Sequence, residues 1–153
     1  MDFDKKIVEL KIELPEAKGP AGNYVATKIT GKLLYISGQI SIDERGELIK
    51  GKVGKDLKTE DGYEAAKRCG LSIISQVKKA CDNDLSKVKS CVKLTGFVNS
   101  TEEFIEQPKV INGASDLIVS VFGDAGMHTR AAVSTNSLPL GVSVELDAIF
   151  ELN

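Results

Sequence analysis

The chain has no tryptophan, a single histidine, three cysteines and four prolines in 153 residues, and only 5% of its residues are aromatic. Each scarcity removes a class of function. Cys69, Cys81 and Cys91 form no close ligand pair and His128 stands alone, so no metal site is expected and metal-dependent hydrolysis is disfavoured. On a shared helix Cys69 and Cys81 would lie about 18 Å apart along the axis, beyond disulfide reach, and reduced intracellular thiols are the simpler reading. Charge of either sign is scarcely in excess: 20 Lys+Arg against 22 Asp+Glu leaves a net charge of -2. With no basic stripe and few aromatic rings to stack bases, no nucleic-acid partner is expected. No apolar run approaches the roughly 18–20 residues that span a bilayer. The opening MDFDKKIVELKIELP mixes charge throughout instead of placing a basic region before an apolar block, so a cytoplasmic protein, neither secreted nor membrane-bound, is expected.

What is present suits one globular domain: 42% hydrophobic and 27% charged residues, with no repeat or low-complexity segment. Pro15, Pro20, Pro108 and Pro139 mark boundaries, and the chain divides into an N-terminal extension, 1–19, and a single domain, 20–153. In residues 1–14, Phe3, Ile7 and Leu10 fit a helical stripe while Val8, Leu10, Ile12 and Leu14 alternate like a strand. A short helix ended by Pro15 is preferred, because the charged residues give it a soluble face. Two strand-like runs, NYVATKIT and LLYISGQISI, flank Gly31-Lys32, a two-residue hairpin signal. The following DERGELIKGKVGKDL, rich in glycine and charge, reads as a mobile surface loop.

Thr59, Glu60 and Asp61 open a long helix with Tyr63, Ala66, Leu71, Ile74, Val77 and Cys81 near helical spacing and lysines toward its end, which suits the helix dipole. In KVKSCVKLTGFVN, Val88, Val92, Leu94 and Val98 occupy one face of a strand. A second helix starts at Pro108, carries Val110, Ala114, Leu117 and Val121, and stops at Gly123. Val142, Val144, Leu146, Ala148, Phe150 and Leu152 then alternate strictly, and TRAAVSTNS before them is expected to pair antiparallel with this last strand. The sum is an α+β fold: a mixed sheet with two helices packed on one face. Its other face is only half polar, so a homo-oligomer with pockets between subunits is expected.

Several residues could carry chemistry. Arg130, alone among Ala131, Ala132 and Val133, is either a fork for a small carboxylate or the partner of Glu145 or Asp147 on a neighbouring strand. Glu145 could serve as a base or hold a water in a cleft, and a solvated strand face would show the same alternation. Ser37 precedes a glycine that lets backbone approach a ligand, but no G-x-S-x-G surrounds it, so hydrogen bonding suits it better than nucleophilic attack. Tyr24, Asn99 and Asn112 fit caps or surface positions, Cys69 fits packing, and His128 fits a loop. Gly46 to Lys52 has phosphate-loop spacing, but Val53 stands where Ser or Thr is required.

Taken in order, GNYVAT, YISGQI, VKLTGFVN, VINGASDLIVSVFG and HTRAAVSTNSLPLGVSVELDAI resemble the RidA/YjgF family of enamine/imine deaminases across about residues 20–153. The resemblance implies a chorismate-mutase-like fold, a homotrimer with three clefts between subunits, and no cofactor. It also implies hydrolysis of reactive enamines or imines, such as 2-aminoacrylate, to 2-keto acids and ammonia. Carried over by position, Arg130 grips the substrate carboxylate, Glu145 holds or activates water, Ser37 and the backbone at Val98 orient the substrate, and Tyr24 and Asn112 shape the cleft. Ala132 stands where many members have cysteine, and the 1–19 extension and the 44–58 loop place the chain nearer a longer subgroup. Two alternatives share this likeness: a non-catalytic trimer that binds small carboxylates, and an endoribonuclease, which the charge and aromatic content disfavour.

Overall fold

Period-two burial sets the frame of the sheet. In the computed structural model, which describes residues 2–153, strand β5 (Val144–Leu152) buries Val144, Leu146, Ala148 and Phe150 in strict alternation. It pairs antiparallel with β2 (Leu33–Ile40) on one side and with β3 (Val88–Asn99) on the other. Strand β1 (Thr27–Thr30) joins β2 through the hairpin at Gly31, whose φ of +57° is the conformation that turn requires. The five-stranded order is β1-β2-β5-β3-β4, with β4 at Thr129–Thr135.

Strand β4 departs from the sequence expectation: it runs parallel to β3 and does not touch β5. The reason is the connection. Helix α3 (Gln107–Phe122) links β3 to β4 and returns the chain to the end where β3 began, which is what a parallel pair needs. The small, polar residues of β4 suit an edge, whereas the apolar β5 takes the doubly paired position. Residue phase in β3 also differs. Register shifts between Val88 and Ser90, and again between Cys91 and Lys93, turn Cys91 into the core and leave Val92 exposed.

Helix α2 (Thr59–Ala80) and α3 cover one face of the sheet, as the alternation of apolar residues requires. They are joined by a third, short helix, α1 (Phe3–Glu9), capped by Asp2 accepting from the Lys5 amide at 2.9 Å. Its Phe3 packs edge-on against Phe122, which does the same against Phe150, so the first turn of the chain belongs to the common core. The opposite sheet face is uncovered, with Tyr35 and Val133 exposed by 41% and 46%.

The stretch expected to be a mobile loop is pinned. Val53 is fully buried, donates its amide to the Asn99 carbonyl at 2.8 Å and accepts from the Thr101 amide at 3.0 Å. Beside it, Lys52 Nζ donates to Asn99 Oδ1 and to the Asn136 carbonyl, both at 2.7 Å, tying the loop to the ends of β3 and β4. At the start of the loop the Asp43 carboxylate accepts from the Arg45 and Glu47 amides at 2.8 and 2.9 Å. The glycines and charges of this segment are turn chemistry, not looseness.

The two long helices meet at backbone distance. A Cβ on Gly113 would collide with the Tyr63 carbonyl oxygen and stand 2.8 Å from its carbon. Gly113→Ala is therefore expected to lower unfolding free energy by about 1–3 kcal/mol, measured as a lower urea midpoint at unchanged m-value.

Candidate functional site

Arg130 lies on the helix side of the edge strand β4 and reaches α3. Its Nη1 donates to Asn112 Oδ1 at 2.8 Å and to Ser115 Oγ at 3.1 Å, and its Nη2 donates to the Pro108 carbonyl at 3.3 Å. All three acceptors are neutral. No carboxylate among the described residues lies within ion-pair distance of this guanidinium, so its charge is held but not cancelled. Of five N–H donors, three are used; Nε–H and one Nη2–H are left, the two needed to grip a carboxylate. The ion pair with Glu145 or Asp147, open on sequence grounds, does not form, because β3 separates β4 from β5.

Glu145 belongs to a second group. It faces a cavity of about 320 Å³ together with Tyr24, Ser37, Gly38, Ser72 and Leu140. A break in the β2–β5 ladder between Ile36 and Gln39 makes the space. Ser37 Oγ donates to the Val25 carbonyl at 2.8 Å, fixing the bend that brings Tyr24 alongside. The Glu145 carboxylate occupies the space that a Cβ on Gly38 would take. Glu145 makes no ion pair or hydrogen bond with other described residues, and burial, then the nearby Asp147 carboxylate, hold its carboxyl above the ordinary glutamate value. A half-buried, unpartnered carboxyl of this kind can accept or return a proton.

Sequence candidates thus fall into two places. Arg130 and Asn112 meet directly; Tyr24, Ser37 and Glu145 share the cavity; Val98 sits apart, its side chain fully buried and its strand paired on both sides. Arg130 is level with Leu94 of β3 and Glu145 with Phe97, which puts their Cα atoms about 14 Å apart from strand spacing and rise. Val144 and Leu146 bury under the helices, so Glu145 emerges on the face opposite Arg130. Sequence reasoning missed Ser115 and Ser72, which carry no motif; His128 lies in the expected loop, just before β4, and from there bonds Ser115 at 2.9 Å. The H-x-R spacing, which sets His128 just ahead of β4 and two residues before Arg130, was the available signal.

The sequence profile described as "YjgF/chorismate_mutase-like, putative endoribonuclease" matches residues 4–151. The chain belongs to the RidA/YjgF family. Protein TCP17 of Trypanosoma cruzi is 47% identical over 145 residues, covering 94% of this chain and 90% of that protein. A rat 2-iminobutanoate/2-iminopropanoate deaminase is 26% identical over 144 residues, again covering 94% of this chain and 90% of its own length. Among solved structures, Atu1372 of Agrobacterium tumefaciens, a protein of unknown function, is 45% identical with a TM-score of 0.91, covering 99% of this chain and 92% of that one. The mixed sheet with helices on one face is thus the RidA/YjgF architecture, and no helix among the described residues is long and apolar enough to cross a membrane.

Because the folded environment favours the protonated Glu145 carboxyl, the folded state binds this proton more tightly than the unfolded chain does, and stability falls as pH rises through the raised value. Glu145→Gln is expected to melt at or above the wild-type temperature at pH 7, the difference closing below the unfolded glutamate value near pH 4. Gly38→Ala, with no backbone strain of its own, is expected to displace the Glu145 carboxylate; a crystal structure of the variant checks this.

Proposed function

We propose that this protein is a cofactor-independent enamine/imine deaminase that works as a homotrimer, each site being built from Arg130 and Asn112 of one copy and Tyr24, Ser37 and Glu145 of the next. One observation carries the reading: an uncancelled guanidinium and an unpartnered carboxyl, complementary in charge and held by rigid elements, cannot meet within one chain. The uncovered sheet face, with Tyr35 and Val133 exposed, supplies apolar surface for neighbouring copies. Deaminases among the relatives add support at the level of the family.

The chemistry asks little of the protein. An imine carbon is already electrophilic, so a fixed substrate, a placed water and a proton carrier suffice. The substrate carboxylate lies on the two free N–H groups of Arg130. Glu145 orients a water and takes its proton as the oxygen attacks the C=N carbon, and the proton then passes to nitrogen. Glu145 then carries the hydroxyl proton of the tetrahedral adduct to the amine nitrogen, the C–N bond breaks as C=O forms, and ammonia and the 2-keto acid leave. Ser37 and Tyr24 shape the pocket.

The test is release of ammonia and pyruvate from 2-iminopropanoate generated in place. The wild type accelerates it, and Arg130→Ala lowers kcat/KM by about 100-fold or more, the loss of two charge-assisted hydrogen bonds. Light scattering gives about 49 kDa, three chains of 16.4 kDa. Absence of acceleration with saturable pyruvate binding would replace the enzyme by a carboxylate-binding trimer; unchanged turnover in Arg130→Ala would remove the proposed site.

A further inference from the structure

Behind Arg130 lies a hydrogen-bond chain that runs away from the cleft. His128 Nδ1 is 2.6 Å from the Gly126 carbonyl, and Nε2 is 2.9 Å from Ser115 Oγ. A carbonyl oxygen only accepts, so Nδ1 carries a hydrogen. In the neutral ring Nε2 is then an acceptor, and the Ser115 hydroxyl proton points to it. This fixes the rest of Ser115: with its proton turned toward His128, its lone pairs face Arg130, whose Nη1 donates to the same oxygen at 3.1 Å. The Gly126 carbonyl is itself set rigidly, because Gly126 is buried where a Cβ would stand 2.7 Å from the Ile118 carbonyl oxygen.

We propose that Ser115 and His128 are positioning residues for the substrate-binding arginine. They hold the guanidinium in the rotation that keeps Nε–H and the remaining Nη2–H free as a pair. This inference rests on the deaminase reading above. Asn112 takes one Nη1 hydrogen and the Pro108 carbonyl one Nη2 hydrogen; Ser115 takes the second Nη1 hydrogen and so fixes the plane of that end of the fork, and His128 decides which way the Ser115 hydroxyl faces. Without His128 the hydroxyl can turn its proton toward Nη1 or toward the helix backbone, and the grip on Arg130 loosens although every atom of the arginine remains. The effect falls on carboxylate binding, because neither residue touches the group proposed to move protons.

The experiment measures deaminase kinetics and, independently, pyruvate affinity by calorimetry for Ser115→Ala, His128→Ala, the double variant, Ser115→Thr and His128→Gln, with Arg130→Ala alongside. Each alanine variant is expected to raise KM and the pyruvate Kd about five- to tenfold, the worth of one hydrogen bond, with kcat changed less than about twofold. The double variant should be no worse than the poorer single one, because both act through one chain. Ser115→Thr keeps the hydroxyl, and His128→Gln puts an amide oxygen near the place of Nε2, so both should restore affinity to within about twofold. Unchanged KM and Kd in folded alanine variants, a loss in kcat alone, additive effects, or failure of both conservative variants to rescue would each overturn the positioning role. If Arg130→Ala itself leaves Kd and turnover intact, the deaminase site falls instead, so the two failures are distinguishable.

Discussion

A guanidinium among neutral acceptors is the constraint around which the rest of this molecule is arranged. Arg130 projects from an edge strand, where a long charged side chain has room, and it is steadied by an amide oxygen, a hydroxyl and a backbone carbonyl of α3. Had Glu145 or Asp147 lain on the adjacent strand, the charge would have been cancelled and the fork closed. The position of β3 between β4 and β5 prevents this: it keeps the acids two strands away and leaves the charge uncancelled.

The same intervening strand separates the two halves of the proposed chemistry. Glu145 stands in a recess opened by an irregularity in β2, made possible by a glycine whose missing Cβ is occupied by the carboxylate itself. Arg130 stands around the sheet edge. Neither half is flexible: one is walled by paired strands, the other is fastened to a 16-residue helix that meets α2 at backbone distance. Preorganisation of this kind is what a reaction needing only orientation and proton transfer can use.

Much of this was legible in the sequence because burial has a period. The alternation from Val142 to Leu152 identified β5 and its core face, the stripe from Tyr63 to Cys81 identified α2, and Pro108 and Gly123 bracketed α3. Pairing was not legible, since periodicity gives a strand its faces but not its neighbours; β4 was therefore assigned to β5 when the α3 crossover sets it beside β3. Bulges were invisible for the same reason, and two of them exchanged Cys91 for Val92 in the core. Composition misled at residues 43–57, where one valine and one lysine, Val53 and Lys52, outweigh the glycines and charges around them. Of the candidate site, Arg130 and Glu145 stood out from their strand context and Asn112, Ser37 and Tyr24 took roles through the family likeness, whereas Ser115 and Ser72 depend on tertiary neighbours that no local pattern encodes.

The chain ahead of β1 has a part in this as well. Ser75 Oγ donates to the Pro15 carbonyl and Gln76 Nε2 to the Lys18 carbonyl, both at 2.8 Å, so α2 carries this stretch like a rail. Glu16, Lys18 and Pro20 then form one bank of the recess that holds Glu145. Growth, trimming or recolouring of that bank changes which molecules can settle there while Glu145 and Arg130 stay untouched. Selectivity in such a scaffold can therefore drift through a segment that contributes nothing to the reaction itself.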